Sequence, residues 1–154
     1  MATTFSDIYD LFITTITDYQ LKQYLDISEE AVETYLEPFL RFAVVQFERA
    51  YGDDISDKMD FENKTIEVDL KEREKVIIAM LMIQHWFRPV LNDLIDIQMG
   101  LSTTDFKRTS EAQHLKELES KYQQLREETS QLLTEYQLDY KVDWKEWQNG
   151  VFYK

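Results

Sequence analysis

A glutamate and a histidine in this sequence have the spacing of metal ligands. Glu111 and His114 form one Glu-x-x-His motif, and helical bundles that hold two metal ions use two such motifs on different helices. The other histidine, His85, has Met82 where the second glutamate would stand. We therefore predict no metal site. We interpret His114 as a polar residue on a helix and His85 as a core or rim residue beside Trp86.

A run of carboxylates between the predicted helices could supply oxygen ligands to Ca²⁺, which prefers clustered oxygen atoms. The run consists of Asp53, Asp54, Asp57, Asp60 and Glu62. Its spacing differs from the D-x-D-x-D-G order of a calcium-binding loop. We interpret the run as a solvated acidic loop, with a small hairpin as an option.

Several residues and motifs that other kinds of catalysis require are absent from this sequence. The sequence contains no cysteine, which excludes thiolate catalysis and cysteine-ligated zinc or iron–sulfur sites. It has three glycines, no G-x-S-x-G sequence and no glycine-rich phosphate loop. We expect no catalytic residues, no cofactor and no enzymatic activity.

The charge balance restricts the partners. Thirty acidic residues against seventeen basic ones give a net charge of −13, which repels phosphate backbones and anionic lipids. We expect protein partners and no sequence-specific binding of nucleic acid. The first residues lack the basic and apolar regions of a signal peptide, and no segment approaches 18 consecutive apolar residues. We therefore also expect no membrane contact.

Length and composition favour a single helical domain. A chain of 154 residues, 44% of them hydrophobic, suffices for one packed core. Three glycines and two prolines are too few for the many tight turns of an all-β fold. We predict an all-α bundle of about four helices over residues 1–138, followed by a C-terminal arm over residues 139–154.

Capping residues predict where the first helices begin and end. Thr4 and Asp7 can form a capping box before a first amphipathic helix. Ser28 is a suitable N-cap for a second helix over about residues 29–50, and Gly52 supplies a stop signal after it. The acidic loop follows.

The second half of the chain predicts two long helices. Asp69 and Glu72 can cap a third helix, which is apolar on all sides over residues 76–83 and is kinked or restarted at Pro89. Ser102 can cap a fourth helix. Its apolar stripe steps by three and four, and we favour packing in the chain's own core over a coiled-coil seam between copies. We expect these helices to be antiparallel. The stripe consists of Leu115, Leu118, Tyr122, Leu125, Thr129, Leu132 and Tyr136.

Aromatic residues beyond the last helix are the strongest candidates for contact with another protein, because they lie among charged residues in the manner of interface anchors. A tail folded back over the core is the alternative. Two apolar residues of the acidic loop are further candidates. The six candidate interface residues are Trp144, Trp147, Phe152, Tyr153, Phe61 and Ile66.

Three motifs in the second half of the chain occur in a familiar order. They are Trp86-Phe87-Arg88-Pro89, then Thr104-Asp105-Phe106-Lys107, then Ser110-x-Ala112-x-His114-Leu115-x-x-Leu118. Together with the run over residues 5–12 and the Asp18-Tyr19 pair, they extend over roughly residues 5–136. In this region the sequence resembles the head–tail connector, or adaptor, proteins of the neck of tailed bacteriophages.

The resemblance implies a non-enzymatic structural protein of the virion, made in the cytoplasm of a bacterial host. Such proteins form a ring, typically a dodecamer, beneath the portal protein and join the capsid to a downstream neck or tail protein. DNA passes through the ring without sequence-specific contacts, and an acidic wall would repel its phosphates. The acidic loop and the C-terminal arm would then be docking elements.

Two other functions stay open at this point. An acidic inhibitor that mimics nucleic acid would use carboxylates spaced like phosphates, and it would be monomeric or dimeric and not a ring. An enzyme such as a carboxylate-metal bundle would require paired acids facing the core, a pattern that the sequence does not show.

Overall fold

The structure, a computed structural model, describes residues 1–100 and 108–141. Most of this part of the chain is helical, which confirms the all-α prediction of about four helices. A small antiparallel sheet with strand order β1-β3-β2 accompanies them. The α-helices are α1 (Phe5–Asp18), α2 (Val32–Tyr51), α3 (Glu72–Gly100) and α4 (Arg108–Lys141). The strands are β1 (Thr3–Thr4), β2 (Met59–Asp60) and β3 (Thr65–Ile66). Short 3₁₀ turns span Lys22–Tyr24, Glu29–Ala31 and Ser56–Lys58.

Helix α1 begins as its sequence predicts. The backbone N–H of Asp7 donates a hydrogen bond of 3.2 Å to the side-chain oxygen of Thr4, which satisfies one free donor of the first turn. The side chains of α1 that are buried share one face, as helical spacing requires. They are Phe5, Ile8, Tyr9, Phe12 and Ile16.

Helix α2 begins later than its sequence predicts. Ser28 does not cap it, because residues 29–31 form a 3₁₀ turn and the α-helix starts at Val32 without a side-chain cap. The predicted stop is confirmed. Gly52 has a left-handed conformation, with φ of 87°, and its N–H donates to the carbonyl of Glu48 at 2.8 Å.

Replacing Gly52 with alanine should lower the free energy of unfolding by about 1 kcal/mol, because residues with a Cβ rarely adopt this conformation. An added Cβ would have no atom within 4 Å, so steric overlap would add nothing to this cost. Urea denaturation monitored by circular dichroism measures the change. Gly100→Ala is the matched control, since an added Cβ there also meets nothing within 4 Å, and stability should not fall. Equal losses in both variants would contradict the prediction.

The start of α3 differs from the capping box predicted at Asp69 and Glu72. The carboxylate of Glu74 accepts a hydrogen bond of 2.7 Å from the backbone N–H of Lys71, so the capping interaction lies two residues later. The reason is the sheet. The hydroxyl of Thr3 donates to the carbonyl of Val68 and accepts from the N–H of Leu70, which keeps the chain extended up to the helix. Helix α3 then passes through its inner proline without a break.

Helices α3 and α4 are antiparallel, as predicted. The hydroxyl of Tyr136, near the end of α4, donates to Glu74 at the start of α3 at 2.9 Å. The rings of Phe87 and Tyr122 lie 6.2 Å apart at the middle of both helices. The connection between them, with its predicted cap at Ser102, lies outside the described residues.

The core is built around α3, which packs against each of the other three helices. Residues 77–83 are all buried, as the apolar run predicted. The stripe of α4 faces this core, since Leu118, Leu125, Thr129 and Tyr136 are buried within the single chain. This supports intramolecular packing over a coiled-coil seam. Helix α4 also continues to Lys141, past the boundary predicted after residue 138.

Candidate interaction surface

The predicted interface residues fall into three groups. Ile66 is completely buried in the chain's own core, because it lies on the central strand of the sheet, so its side chain is not available to a partner. Phe61 is half-buried, with its ring edge-on to Phe5 and the guanidinium of Arg41 at 4.3 Å from its centre. The four aromatic candidates of the arm, Trp144, Trp147, Phe152 and Tyr153, lie outside the described residues.

The acidic loop uses its carboxylates for local structure. Asp60 accepts hydrogen bonds from the backbone N–H groups of Glu62 and Asn63, both at 3.0 Å, and from the side chain of Asn63 at 2.6 Å. These bonds lower the pKa of Asp60, those from Asn63 most. Asp53 forms an ion pair with Lys58, which lowers the pKa of the Asp53 carboxyl. The loop also contains the β2–β3 hairpin.

The motif of Glu111 and His114 is not part of a metal cluster in the described residues. His114 lies 2.7 Å from the hydroxyl of Tyr24, measured from its Nε2 atom. No group of three or more metal-ligating side chains occurs in residues 1–100 and 108–141. None of the helices in the same ranges is long and apolar enough to cross a bilayer.

One surface of interest is an apolar face of α2 that is largely exposed at the edge of the core. Tyr35, Phe42 and Val45 are 37%, 58% and 49% exposed, and half-buried Phe39 packs edge-on against Tyr35. These four residues, which we call the α2 outer face, share one side of the helix, because successive residues of a helix are turned by about 100°. No described element covers their exposed surface.

A polar cavity adjoins this outer face. It has a volume of about 340 Å³ and lies where α2, α3 and α4 meet. Its lining contains two arginines and a histidine but no carboxylate. The six lining residues, which we call the arginine pocket, are Gln46, Gln84, His85, Arg88, Tyr122 and Arg126. Within the described part of the chain, neither arginine forms an ion pair.

His85 connects the pocket to the outer face. Its Nε2 atom lies 2.9 Å from the side-chain oxygen of Gln46, and its ring lies 5.7 Å from the ring of Phe42. Burial lowers the pKa of His85 from its ordinary value of 6.5, and the charge of Arg88 lowers it further. Just below pH 6.5 the unfolded chain therefore binds more protons at this residue, so His85 makes stability rise with pH there.

The arrangement can bind a protein segment that carries both apolar and acidic side chains. Two guanidinium groups that form no ion pair within residues 1–100 and 108–141 lie at one cavity and are suited to a carboxylate, and burial of the apolar face beside them would stabilise a complex. A second apolar stripe on α2 was the available sequence signal for the outer face. The arginine pocket had no such signal, because Arg88 and Arg126 are far apart in sequence and meet only through α3–α4 packing.

Known proteins give no further guidance on this surface: no family model, no curated protein and no solved structure matches the chain.

Proposed function

We propose that this protein is a non-enzymatic structural subunit that forms a ring through its outer surface, as a head–tail connector of a tailed bacteriophage. The observation that carries the proposal is the α2 outer face. Three well-exposed apolar side chains on one helix side, in a chain whose core is already well packed, are typical of a surface buried by another protein.

The resemblance supplies the context of this assembly. The ring would be a dodecamer at the neck of the virion, between the portal protein and a downstream neck or tail protein, after synthesis in the cytoplasm of the bacterial host. DNA would pass through it without sequence-specific contacts. The net charge of −13 supports this role, since acidic subunits repel phosphates. The proposal includes no cofactor and no catalytic residues.

Co-expression with the portal protein encoded in the same genome tests the proposal. We expect cryo-electron microscopy to reveal a ring of this protein stacked on the portal. Phe42→Asp should abolish the ring, because it places a charge in the apolar contact, while circular dichroism should show an intact fold, because Phe42 is largely exposed. Asn92→Asp adds the same charge at another exposed position and should leave the ring unchanged. A small, ring-free species of the parent chain beside assembled portal would contradict the proposal.

The same charge also favours a second candidate, the acidic inhibitor that mimics nucleic acid. This function requires a monomer or dimer that competes with DNA for a DNA-binding protein. A ring on the portal would exclude it, whereas a monomer that displaces DNA from such a protein would establish it in place of the connector.

A further inference from the structure

We propose that residues 142–154 of one copy bind to the α2 outer face and the arginine pocket of a neighbouring copy. This inference rests on the proposed function, because it requires neighbouring copies in an assembly. It goes further by assigning the contact, in which aromatic side chains cover the outer face and the carboxylate of Glu146 lies between Arg88 and Arg126.

Charge complementarity is the first argument. The arginine pocket is a basic site in a chain with a large excess of acid, and its arginines form no ion pair in the described residues. Residues 142–154 contain two acids, Asp143 and Glu146, and two bases, Lys145 and Lys154, so their net charge is zero. This segment can therefore supply a carboxylate without adding to the repulsion between acidic subunits.

The aromatic content of the segment is the second argument. Trp144 and Trp147 lie on either side of Glu146 in sequence, and Phe152 and Tyr153 follow. The binding surface places an apolar face directly beside a basic pocket, since the ring of Phe42 lies against the ring of His85. A DNA phosphate could satisfy the arginines but would leave the apolar face uncovered, and the net charge of the chain would oppose its approach.

The segment could reach the pocket of its own chain or that of a neighbouring copy, and its length is the first test between them. Helix α4 ends at Lys141, and Arg126 lies 15 residues back, or about 22 Å along the helix axis. An extended segment of 13 residues spans at most about 45 Å, so length alone permits either choice.

Direction decides between the two choices. To reach its own pocket, the chain would have to reverse immediately after α4. Residues 142–148 contain no glycine or proline, and the turn signal Asn149-Gly150 comes after both tryptophans. A neighbouring copy whose pocket lies ahead of the end of α4 can be reached without such a reversal, which is the arrangement that the proposal requires.

Disulfide trapping tests the contact, and the absence of native cysteines makes every disulfide attributable to the introduced residues. Two full-length chains, one with Val45→Cys and one with Gln148→Cys and an affinity tag, are co-expressed with the portal protein and oxidised. We expect a disulfide-linked heterodimer of the two chains. The doubly substituted chain should give linked multimers. Absence of the heterodimer would overturn the inference. So would a doubly substituted chain that forms its disulfide only within itself and gives no linked multimers.

A charge exchange tests the role of the arginine pocket. Arg126→Glu should lower the yield of the heterodimer by about tenfold or more, because like charges placed together at a contact oppose binding. Adding Glu146→Arg on the partner chain should restore the yield. Lys116→Glu makes the same charge change at an exposed position of α4 outside the pocket and should have no effect. A yield that does not respond to Arg126→Glu would overturn the proposed carboxylate contact.

The two proposals can fail separately. If cryo-electron microscopy shows a ring on the portal and no heterodimer forms, the arm contact is wrong while the connector function stands. If the heterodimer forms in an assembly without any portal, the contact is correct and the connector function is wrong.

Discussion

Replacing Trp86 with alanine is expected to lower the free energy of unfolding by about 3–5 kcal/mol, the usual cost of removing a large aromatic side chain from a packed core. Trp86 is 1% exposed and lies on α3 at the centre of the bundle. Its ring packs edge-on against Phe12 of α1, with centroids 5.5 Å apart, and against Phe87 at 5.7 Å. The surrounding helices relax only partly around such a cavity, and the unfilled volume adds to the cost.

Chemical denaturation of Trp86→Ala, with Trp86→Phe as the control, separates the loss of ring packing from the effect of removing the indole N–H. The indole N–H of Trp86 is buried without a hydrogen-bond partner in the described structure. Phenylalanine keeps most of the ring contacts and removes this donor, so its cost should be less than half that of alanine. Near-wild-type stability of Trp86→Ala would show that Trp86 is not part of the core.

Replacing Glu74 with alanine is expected to cost about 3 kcal/mol, because two hydrogen bonds to one buried carboxyl group are lost. Glu74 is 3% exposed. Its Oε1 atom accepts from the hydroxyl of Tyr136 and its Oε2 atom from the N–H of Lys71. The residue therefore holds the start of α3 and the end of α4 together.

A double-mutant cycle with Tyr136→Phe measures this link by thermal or urea unfolding. The Tyr136 bond is lost in both single variants. The sum of their two losses of unfolding free energy should therefore exceed the loss in the double variant by about 1–2 kcal/mol. Glu72→Ala is a suitable control, since Glu72 lies in the same turn but is exposed and, among the described residues, forms an ion pair with Lys75 at the surface. Strict additivity of the two single variants would contradict the assigned contact.

Local sequence signals predicted what depends on local interactions. The cap at Thr4 and the stop at Gly52 each involve residues within four positions, and both are present in the structure. The burial of the α4 stripe was also predictable, because helical spacing and hydrophobicity determine which side of a long helix is buried. The antiparallel arrangement of α3 and α4 follows from two long apolar stripes separated by a short connection.

Features that depend on distant residues were not predictable in the same way. The start of α3 is shifted because Thr3 binds the chain at Val68 and Leu70, some 65 residues away. Ile66 was a candidate interface residue of the acidic loop, and its burial depends on β1 and β2, which lie on either side of its strand. The arginine pocket requires the register between α3 and α4, which no single stretch of sequence contains.

The central position of α3 has a consequence for the protein during its synthesis. Residues 77–83 are apolar on every side, and one of the helices that packs against α3 is α4, which is translated after the other three helices. A ribosome-bound chain that ends before α4 therefore exposes a continuous hydrophobic surface, the kind of surface that causes aggregation or recruits chaperones. Aggregation or chaperone binding would therefore keep incomplete translation products out of an assembly of complete chains.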